Sequence, residues 1–375
     1  MNTPPPPATI GLIGAGNISR RYIAGIARFS HLRVVAVTDA VPAAARQLAA
    51  EAGITAHDTL SAMLDDDGID IVVNITPPLA HAAVTVQALQ AGKHVYVEKP
   101  MAAALADAEL MIAAAAKTGM LLGSAPDTFL GSASQTARAA IDRGDIGEPI
   151  GVVAFITHSQ AERWHPNPGF LFQPGGGPLL DMGPYYVAGM VNLLGPVARV
   201  SGTTRIGASK RAVTAPDRVV DEVSVTTTTH ASATLTFASG VVGTLVASFD
   251  IWESHLPKIE VYGTEGALSV PDPNHFDGPV LLRRNDADVW TELEPALTVS
   301  GAPDSPEQLL RGIGVADLVG AIEGGHHRAD SALALHVLEV LEAVESSSSL
   351  GREVHIISRP DRPAPQGPTA TIASN

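Results

Sequence analysis

The pattern of apolar and polar positions changes character once along the chain. Through residue 125, short apolar runs at 9–13, 33–37, 69–75, 94–97 and 120–123 alternate with helix-like stretches at 20–29, 42–52 and 59–64, another that follows Thr76 to His81 and runs to about 92, and a last at 102–117. The run 69–75 is nearly continuous, as expected of a strand covered on both faces in a parallel sheet. This alternation predicts an α/β domain built on a doubly wound parallel sheet of about six strands. Beyond 125 the rhythm differs. A helix-like stretch at 132–143 and a turn at 144–148 lead into alternating or β-branched runs at 150–157, 221–229, 231–237 and 241–251, broken by turn signals such as Ser239-Gly240. Runs 257–262 and 267–270 flank Gly263 to Gly266 as a hairpin, 280–284 and 289–293 form another pair, and 308–323 and 329–346 read as amphipathic helices. The expected organisation is a disordered N-terminus (1–7), a first domain (8–125), an α+β second domain (126–357) and a disordered tail (358–375) rich in Pro, Ala, Ser and Thr.

The chemistry gathers where the first-half strands end. The first strand runs into Gly14-Ala15-Gly16-Asn17-Ile18-Ser19 and then a helix. Gly14 allows a tight turn, and Gly16 lets a pyrophosphate approach the helix N-terminus. Ser19 stands where the usual fingerprint has its third glycine. Asp39 ends the next strand, placed to accept hydrogen bonds from an adenosine ribose and to repel a 2′-phosphate. Ala40, Val41 and Pro42 follow it, so NAD is expected rather than NADP. Ligands bind at the carboxyl ends of parallel strands, which makes Thr76, Pro77 and His81 candidates for the cofactor site. His81 reads equally as a helix-start residue. Glu98 and Lys99, before Pro100, end another strand; they are either a solvated turn or a charged pair held at the cofactor cleft. Asp127 lies just past the last strand, in a position to line the cleft.

In the second half one stretch stands out, Gly175-Gly176-Gly177 followed by Asp181 and Tyr185. A spacing of four residues puts an acid and a phenol on one helical face, and Pro184 fits if Asp181 is near the helix start. The alternative is an N-cap aspartate and a core tyrosine; Tyr186 competes with Tyr185. The preceding loop holds Arg163, Trp164 and His165. Trp164 has the shape to stack on a sugar face, and Arg163 and His165 suit an anionic or hydroxyl-rich group; otherwise this is a surface loop anchored by Trp164. His255 and Lys258 are poorer candidates. His326 and His327 read as an exposed helix connection, and no metal constellation is expected.

Composition removes whole classes. The 375 residues suggest two domains. A formal charge of −15 argues against a nucleic-acid surface. With no cysteine there is no disulfide, thiolate chemistry or Cys-based metal site. No signal peptide is expected from the proline-rich start, and Asp107 and Glu109 interrupt the apolar stretch 102–116, so no membrane span is expected. The expectation is a cytoplasmic enzyme acting on a small molecule.

These motifs together resemble the glucose–fructose oxidoreductase, inositol dehydrogenase and rhizopine-catabolism (Gfo/Idh/MocA) family. The resemblance is carried by Gly14-Ala15-Gly16-Asn17-Ile18, Thr76-Pro77-Pro78 with His81, Glu98-Lys99-Pro100, and Gly175-Gly176-Gly177 with Asp181 and Tyr185. Tyr262-Gly263-Thr264-Glu265-Gly266 and Gly351 after the closing helix complete it, over residues 8–357. It implies a Rossmann domain followed by a domain with a large, open, mostly antiparallel sheet. The outer face of that sheet usually makes a homo-oligomer, a dimer or tetramer. It further implies that Lys99 lies beside the nicotinamide ribose and reacting hydroxyl, and that Asp181 binds substrate or orients the base. The position of Tyr185 is usually histidine in inositol dehydrogenase-like members; glucose–fructose oxidoreductase and the dihydrodiol dehydrogenase-like members have tyrosine. A phenol ionises near ~10, and a neighbouring ammonium favours phenolate, so Tyr185 is expected as base with Lys99 as its electrostatic partner. The expected activity is NAD-dependent hydride transfer at a ring hydroxyl of a sugar or polyol. Two alternatives remain. One is redox-neutral NAD-dependent glycoside hydrolysis on an anionic sugar glycoside, by oxidation, elimination, hydration and reduction, without the usual carboxylate pair. The other is a noncatalytic NAD-binding regulator.

Overall fold

The computed structural model describes residues 6–159, 161–297 and 311–366. The chain begins β1 (Ala8–Ile13), α1 (Ser19–Ile26), β2 (Leu32–Thr38), α2 (Pro42–Ala52), β3 (Thr55–His57), α3 (Leu60–Leu64), β4 (Ile71–Asn74), α4 (Pro78–Gln90), β5 (His94–Val97), α5 (Leu105–Thr118) and β6 (Leu122–Ser124). It continues with α6 (Ser132–Asp142), β7 (Pro149–Thr157), α7 (Ala161–Trp164), α8 (Gly177–Asp181), α9 (Gly183–Leu194), β8 (Val197–Arg205), β9 (Lys210–Ala212) and β10 (Glu222–Ser224). Then come β11 (His230–Phe237), β12 (Val242–Ser248), β13 (Ile259–Gly263), β14 (Gly266–Val270), β15 (Leu281–Arg284) and β16 (Thr291–Glu292). Helices α10 (Ile313–Ile322) and α11 (Ser331–Leu350) and strand β17 (Val354–His355) close it. The chain divides into two compact units, one built on 6–131 and 311–335, the other on 132–296 and 336–365.

The first unit carries a six-stranded parallel sheet in the order β3-β2-β1-β4-β5-β6. Ile10, Leu12, Val37, Ile71, Val72, Val73, Val95 and Val97 are buried along it, which is why these runs carry no polar alternation. Strand order reverses between β1 and β4, the point where such sheets take a ligand. Strand β3, Thr-Ala-His, has no apolar run to announce it, and its side chains are half-buried or exposed. The segment 311–335, expected in the second domain, belongs here. Asp127 is buried and its Oδ2 accepts from Gly312 N (3.2 Å) and Gly314 N (3.0 Å) at the start of α10. A carboxylate there answers both the orphan N–H groups and the helix dipole. A Cβ on Gly314 would overlap the Tyr96 hydroxyl. The expected helix at 308–323 is observed from Ile313; 308–310 lie outside the described residues.

The second unit carries a nine-stranded sheet, β16-β15-β14-β13-β7-β12-β11-β8-β17. All neighbours are antiparallel except β7 and β12. Val152, Ala154, Ile156, Leu235, Leu245, Ala247 and Val261 are buried on one face. The other face lines up Ser201, Thr234, Thr244, Val153, Glu260 and Ser269 in register, half-buried or exposed. Strand β8 is absent from the sequence reading because Arg199, Gly202 and Arg205 interrupt its pattern, yet it pairs with β11 along its whole length. The expected strand 221–229 shrinks to β10. Thr226 N and Thr229 N donate instead to Phe172 O (2.8 Å) and Arg205 O (3.0 Å), so this backbone serves loops rather than a ladder. The stretch 358–366, expected to be disordered, is tied down. Arg362 pairs with Asp142 (2.7 Å), and buried Arg138 donates to Pro363 O (2.9 Å). A buried guanidinium needs acceptors, and the tail supplies one.

His336 is fully buried and its Nε2 accepts from Val197 N (2.9 Å). Burial pushes its pKa down to about 4. The unfolded chain takes up a proton near ~6.5 while the folded chain resists it. The stability that depends on neutral His336 is therefore present above ~6.5 and lost as pH falls toward about 4. Between pH ~7.5 and ~4.5, His336→Gln is expected to lose about 2–3 kcal/mol less stability than the parent in urea unfolding. Equal losses would exclude this origin.

Candidate functional site

The first unit holds the features suited to a dinucleotide. Gly14 sits at φ +115°, and a Cβ there would lie 2.9 Å from Ile75 O. A Cβ on Gly16 would meet nothing within 4 Å, so the glycine leaves the open side of the loop clear. Asn17 is exposed beside it and Ile18 is half-buried. Ile18 precedes α1 with no side-chain cap and no acid in the first turn, so no carboxylate of that turn opposes an anion at the positive end of the helix. The hydroxyl of buried Ser19 donates to Gly16 O (2.7 Å), closing the turn where a third glycine was missing. Asp39 Oδ2 accepts from Ala15 N (2.7 Å) and Oδ1 from Val41 N (2.8 Å). The second-strand carboxylate thus stands against the glycine loop. A clear glycine face, an uncapped helix start and an acid beside both fit NAD.

The loops after β4 and β5 are built by residues that sequence reasoning assigned otherwise or missed. Asn74 is fully buried. Its Oδ1 accepts from Thr76 Oγ1 (2.7 Å) and N (3.2 Å), and its Nδ2 donates to His81 O and Thr85 Oγ1 (both 3.1 Å). Exposed Pro77 precedes α4. His81, expected at the cofactor, has a buried ring whose Nε2 lies 2.7 Å from Thr76 O and whose Nδ1 lies 2.8 Å from Pro100 O, and the single N–H of a neutral imidazole donates to one of them. Burial pulls its pKa below the usual histidine range, opposed by those carbonyls and by Glu98. Glu98 is likewise engaged within the protein. Its Oε1 accepts from Tyr22 Oη (2.9 Å) and Arg311 Nη1 (3.4 Å), and its Oε2 from Lys99 N (2.7 Å). Lys99, half-buried, therefore starts from a fixed backbone. Asp127 is the helix cap described above rather than a cleft residue; burial pushes its pKa up and Arg311 pulls it back.

The second unit holds the expected acid and phenol. The glycine run does bring backbones close, but they are its own. A Cβ on Gly176 would overlap Phe170 O, and one on Gly177, at φ +81°, would lie 2.7 Å from Thr228 O. Asp181 and Tyr185 do not share one helix. Helix α8 ends at Asp181, Met182 turns at φ −105°, and α9 starts at Gly183. Pro184 has no N–H for a helical bond back to residue 180, so the first helix stops before it. Tyr185 is buried and Asp181 half-buried. Tyr186 is engaged within this unit: its hydroxyl donates to Asp272 (3.3 Å), and burial, then that carboxylate, push its pKa well above the tyrosine range.

Arg163 and Trp164, expected in a loop, end the short helix α7, with His165 just beyond it, and the segment is anchored by Glu162, not by Trp164. Arg211 pairs with Glu162 (3.0 Å) and with Asp250, and Thr214 N and Ala215 N donate to Glu162 O (2.8 and 3.0 Å). Trp164 is 57% exposed, edge-on to His165 (5.5 Å), which is edge-on to exposed Phe170 (5.2 Å). The Arg163 guanidinium lies over Trp252 (4.9 Å). Lys258 stands 4.0 Å from Asp272. His327 is half-buried rather than exposed, and among the described residues no three His, Asp or Glu side chains group to hold a metal. No described helix is long and apolar enough to cross a membrane.

Comparison with known proteins agrees with this geometry. Residues 8–125 match the Gfo/Idh/MocA oxidoreductase family, NAD-binding Rossmann fold, and residues 134–269 match that family's C-terminal domain. The chain is 30% identical to dTDP-3,4-didehydro-2,6-dideoxy-alpha-D-glucose 3-reductase of Streptomyces antibioticus, over 72% of this chain and 84% of that one. It is 30% identical to 1,5-anhydro-D-fructose reductase of Ensifer adhaerens, over 76% and 83%. Among solved structures, an NAD binding oxidoreductase from Klebsiella pneumoniae superposes with a TM-score of 0.81 at 25% identity, covering 94% of this chain and 99% of that one.

Proposed function

Because this chain belongs to the Gfo/Idh/MocA family of NAD-binding oxidoreductases, we propose that it moves a hydride between NAD and a ring carbinol carbon of a sugar or sugar derivative. The observation that carries the cofactor half is Asp39, whose carboxylate is bound to the backbone of the glycine loop. The substrate class is supported by relatives named for sugar reduction. Gly14, Gly16, Asn17 and Ile18 form the pyrophosphate turn, Asp39 takes the ribose hydroxyls, and Thr76 and Pro77 border the cofactor. When bound, NAD supplies the hydride acceptor. Tyr185, as phenolate, takes the hydroxyl proton as general base and becomes the neutral phenol, Lys99 supplies the positive charge that favours the phenolate before the transfer, and Asp181 orients the substrate. Arg163, Trp164 and His165 contact the sugar, with the exposed Trp164 ring as stacking surface. The enzyme works in the cytoplasm as a homo-oligomer joined through the open face of the nine-stranded sheet; a monomer mass in sedimentation equilibrium at micromolar protein would remove that last element.

The test is one incubation read two ways. Protein and NAD are mixed with a panel of free sugars and glycosides, and reduced nicotinamide and released aglycone are both followed; the reverse direction is run with NADH and keto-sugars. Net nicotinamide turnover is expected. Aglycone release without net reduction, with solvent deuterium entering beside the oxidised carbon, would instead mark a redox-neutral glycosidase. Silence on both channels would leave a noncatalytic NAD-binding protein.

A further inference from the structure

Resting on the reading of Lys99 as a participant in proton transfer, we infer that Arg311 is a positioning residue for it. Arg311 balances the charge of Glu98, and Glu98 fixes the Lys99 backbone.

The link is continuous within the first unit. Glu98 is buried at the end of β5, and its two oxygens divide the work. Oε2 takes the Lys99 N–H (2.7 Å); Oε1 takes the Tyr22 hydroxyl (2.9 Å) and Arg311 Nη1 (3.4 Å). Arg311 is itself buried, 8% exposed, and its backbone is seated against α1: a Cβ on Gly25 would overlap Arg311 O. The next residues are held by Asp127, which accepts from Gly312 N and Gly314 N (3.2 and 3.0 Å). Two carboxylates, Glu98 and Asp127, and two phenols, Tyr22 and Tyr96, act on one another in this buried neighbourhood, with Arg311 the guanidinium acting on them. A buried charge left without its partner is strongly unfavourable. Removal of Arg311 therefore takes the countercharge from the buried Glu98 carboxylate and frees it to move, and the Lys99 amide loses its fixed acceptor. A displacement of about 1 Å at a reacting group is enough to cost ~100-fold in rate. The dinucleotide-fitting features, Gly14 to Ile18 and Asp39, lie on other loops.

Arg311→Gln and Arg311→Lys are compared with Lys99→Met, using the best substrate of the panel and kcat per NAD-binding site. Arg311→Gln is expected to lower kcat ~10–100-fold with the NAD Kd within ~3-fold, and Arg311→Lys to recover most of that loss. If Lys99→Met keeps normal kcat, the catalytic reading falls. If Lys99→Met collapses kcat while Arg311→Gln stays within ~2-fold, the role of Arg311 falls and the catalytic reading stands. An Arg311→Lys loss equal to that of Arg311→Gln also overturns it, since charge is then not the cause. If Arg311→Gln does not fold, Tyr22→Phe, which removes the other donor to the same oxygen, is expected to lower kcat ~3–10-fold; no change overturns the link. Amide exchange at Lys99 reads it without substrate: a rate at least ~10-fold faster in the folded variant is expected, and an unchanged rate refutes it.

Discussion

Tyr185→Phe is expected to lower turnover about 10²–10⁴-fold while the NAD Kd stays within ~3-fold. The substitution removes one oxygen from a buried ring and keeps its shape, so packing in α9 is preserved. What is lost is the group assigned to take the substrate proton. Tyr186→Phe is the matched comparison. Its hydroxyl donates to Asp272, so its removal is expected to cost about 1 kcal/mol of stability and leave kcat unchanged. Steady-state rates on the panel substrate, NAD titration by fluorescence and urea unfolding separate the two variants. Near-normal turnover in Tyr185→Phe, or collapse in Tyr186→Phe, would show that the base has been assigned to the wrong residue.

Gly14→Ala is expected to cost cofactor affinity rather than fold. At φ +115° a side chain is strained, and the new methyl would sit 2.9 Å from Ile75 O, a backbone atom that cannot swing away. The backbone strain is worth about 1–2 kcal/mol and the overpacking about 1–3 kcal/mol. The glycine loop can escape both by leaving its place over α1, which removes the turn that receives the pyrophosphate. NAD affinity should fall ~30-fold or more, with the melting temperature little changed. Unaltered NAD binding in the variant would mean that the loop does not bind the cofactor.

What could be read beforehand follows from where each feature keeps its information. The parallel strands are covered on both faces, so their burial is written as apolar runs, and the glycine turn with Asp39 is local to one β-α-β unit. β3 and β8 were illegible because neighbours, not their own residues, make them strands. The break between α8 and α9 left a trace that spacing overrode: Pro178 and Pro184 each sit in a first turn, and two such prolines signal two helix starts. The partners of His81 were not legible because both are backbone carbonyls, which leave no mark in side-chain identity. Arg311 was invisible for another reason: it meets Glu98 across 213 residues. The loop of Trp164 showed its aromatic surface in advance but not its anchor, because Arg211 reaches Glu162 from a separate strand.

The amide of Asn74 makes four hydrogen bonds: its oxygen accepts two from Thr76 and its nitrogen donates two toward α4. The segment between β4 and α4 therefore surrenders its conformational freedom when the protein folds, not when a ligand arrives. Association there loses little entropy to ordering and can approach rigid-body docking.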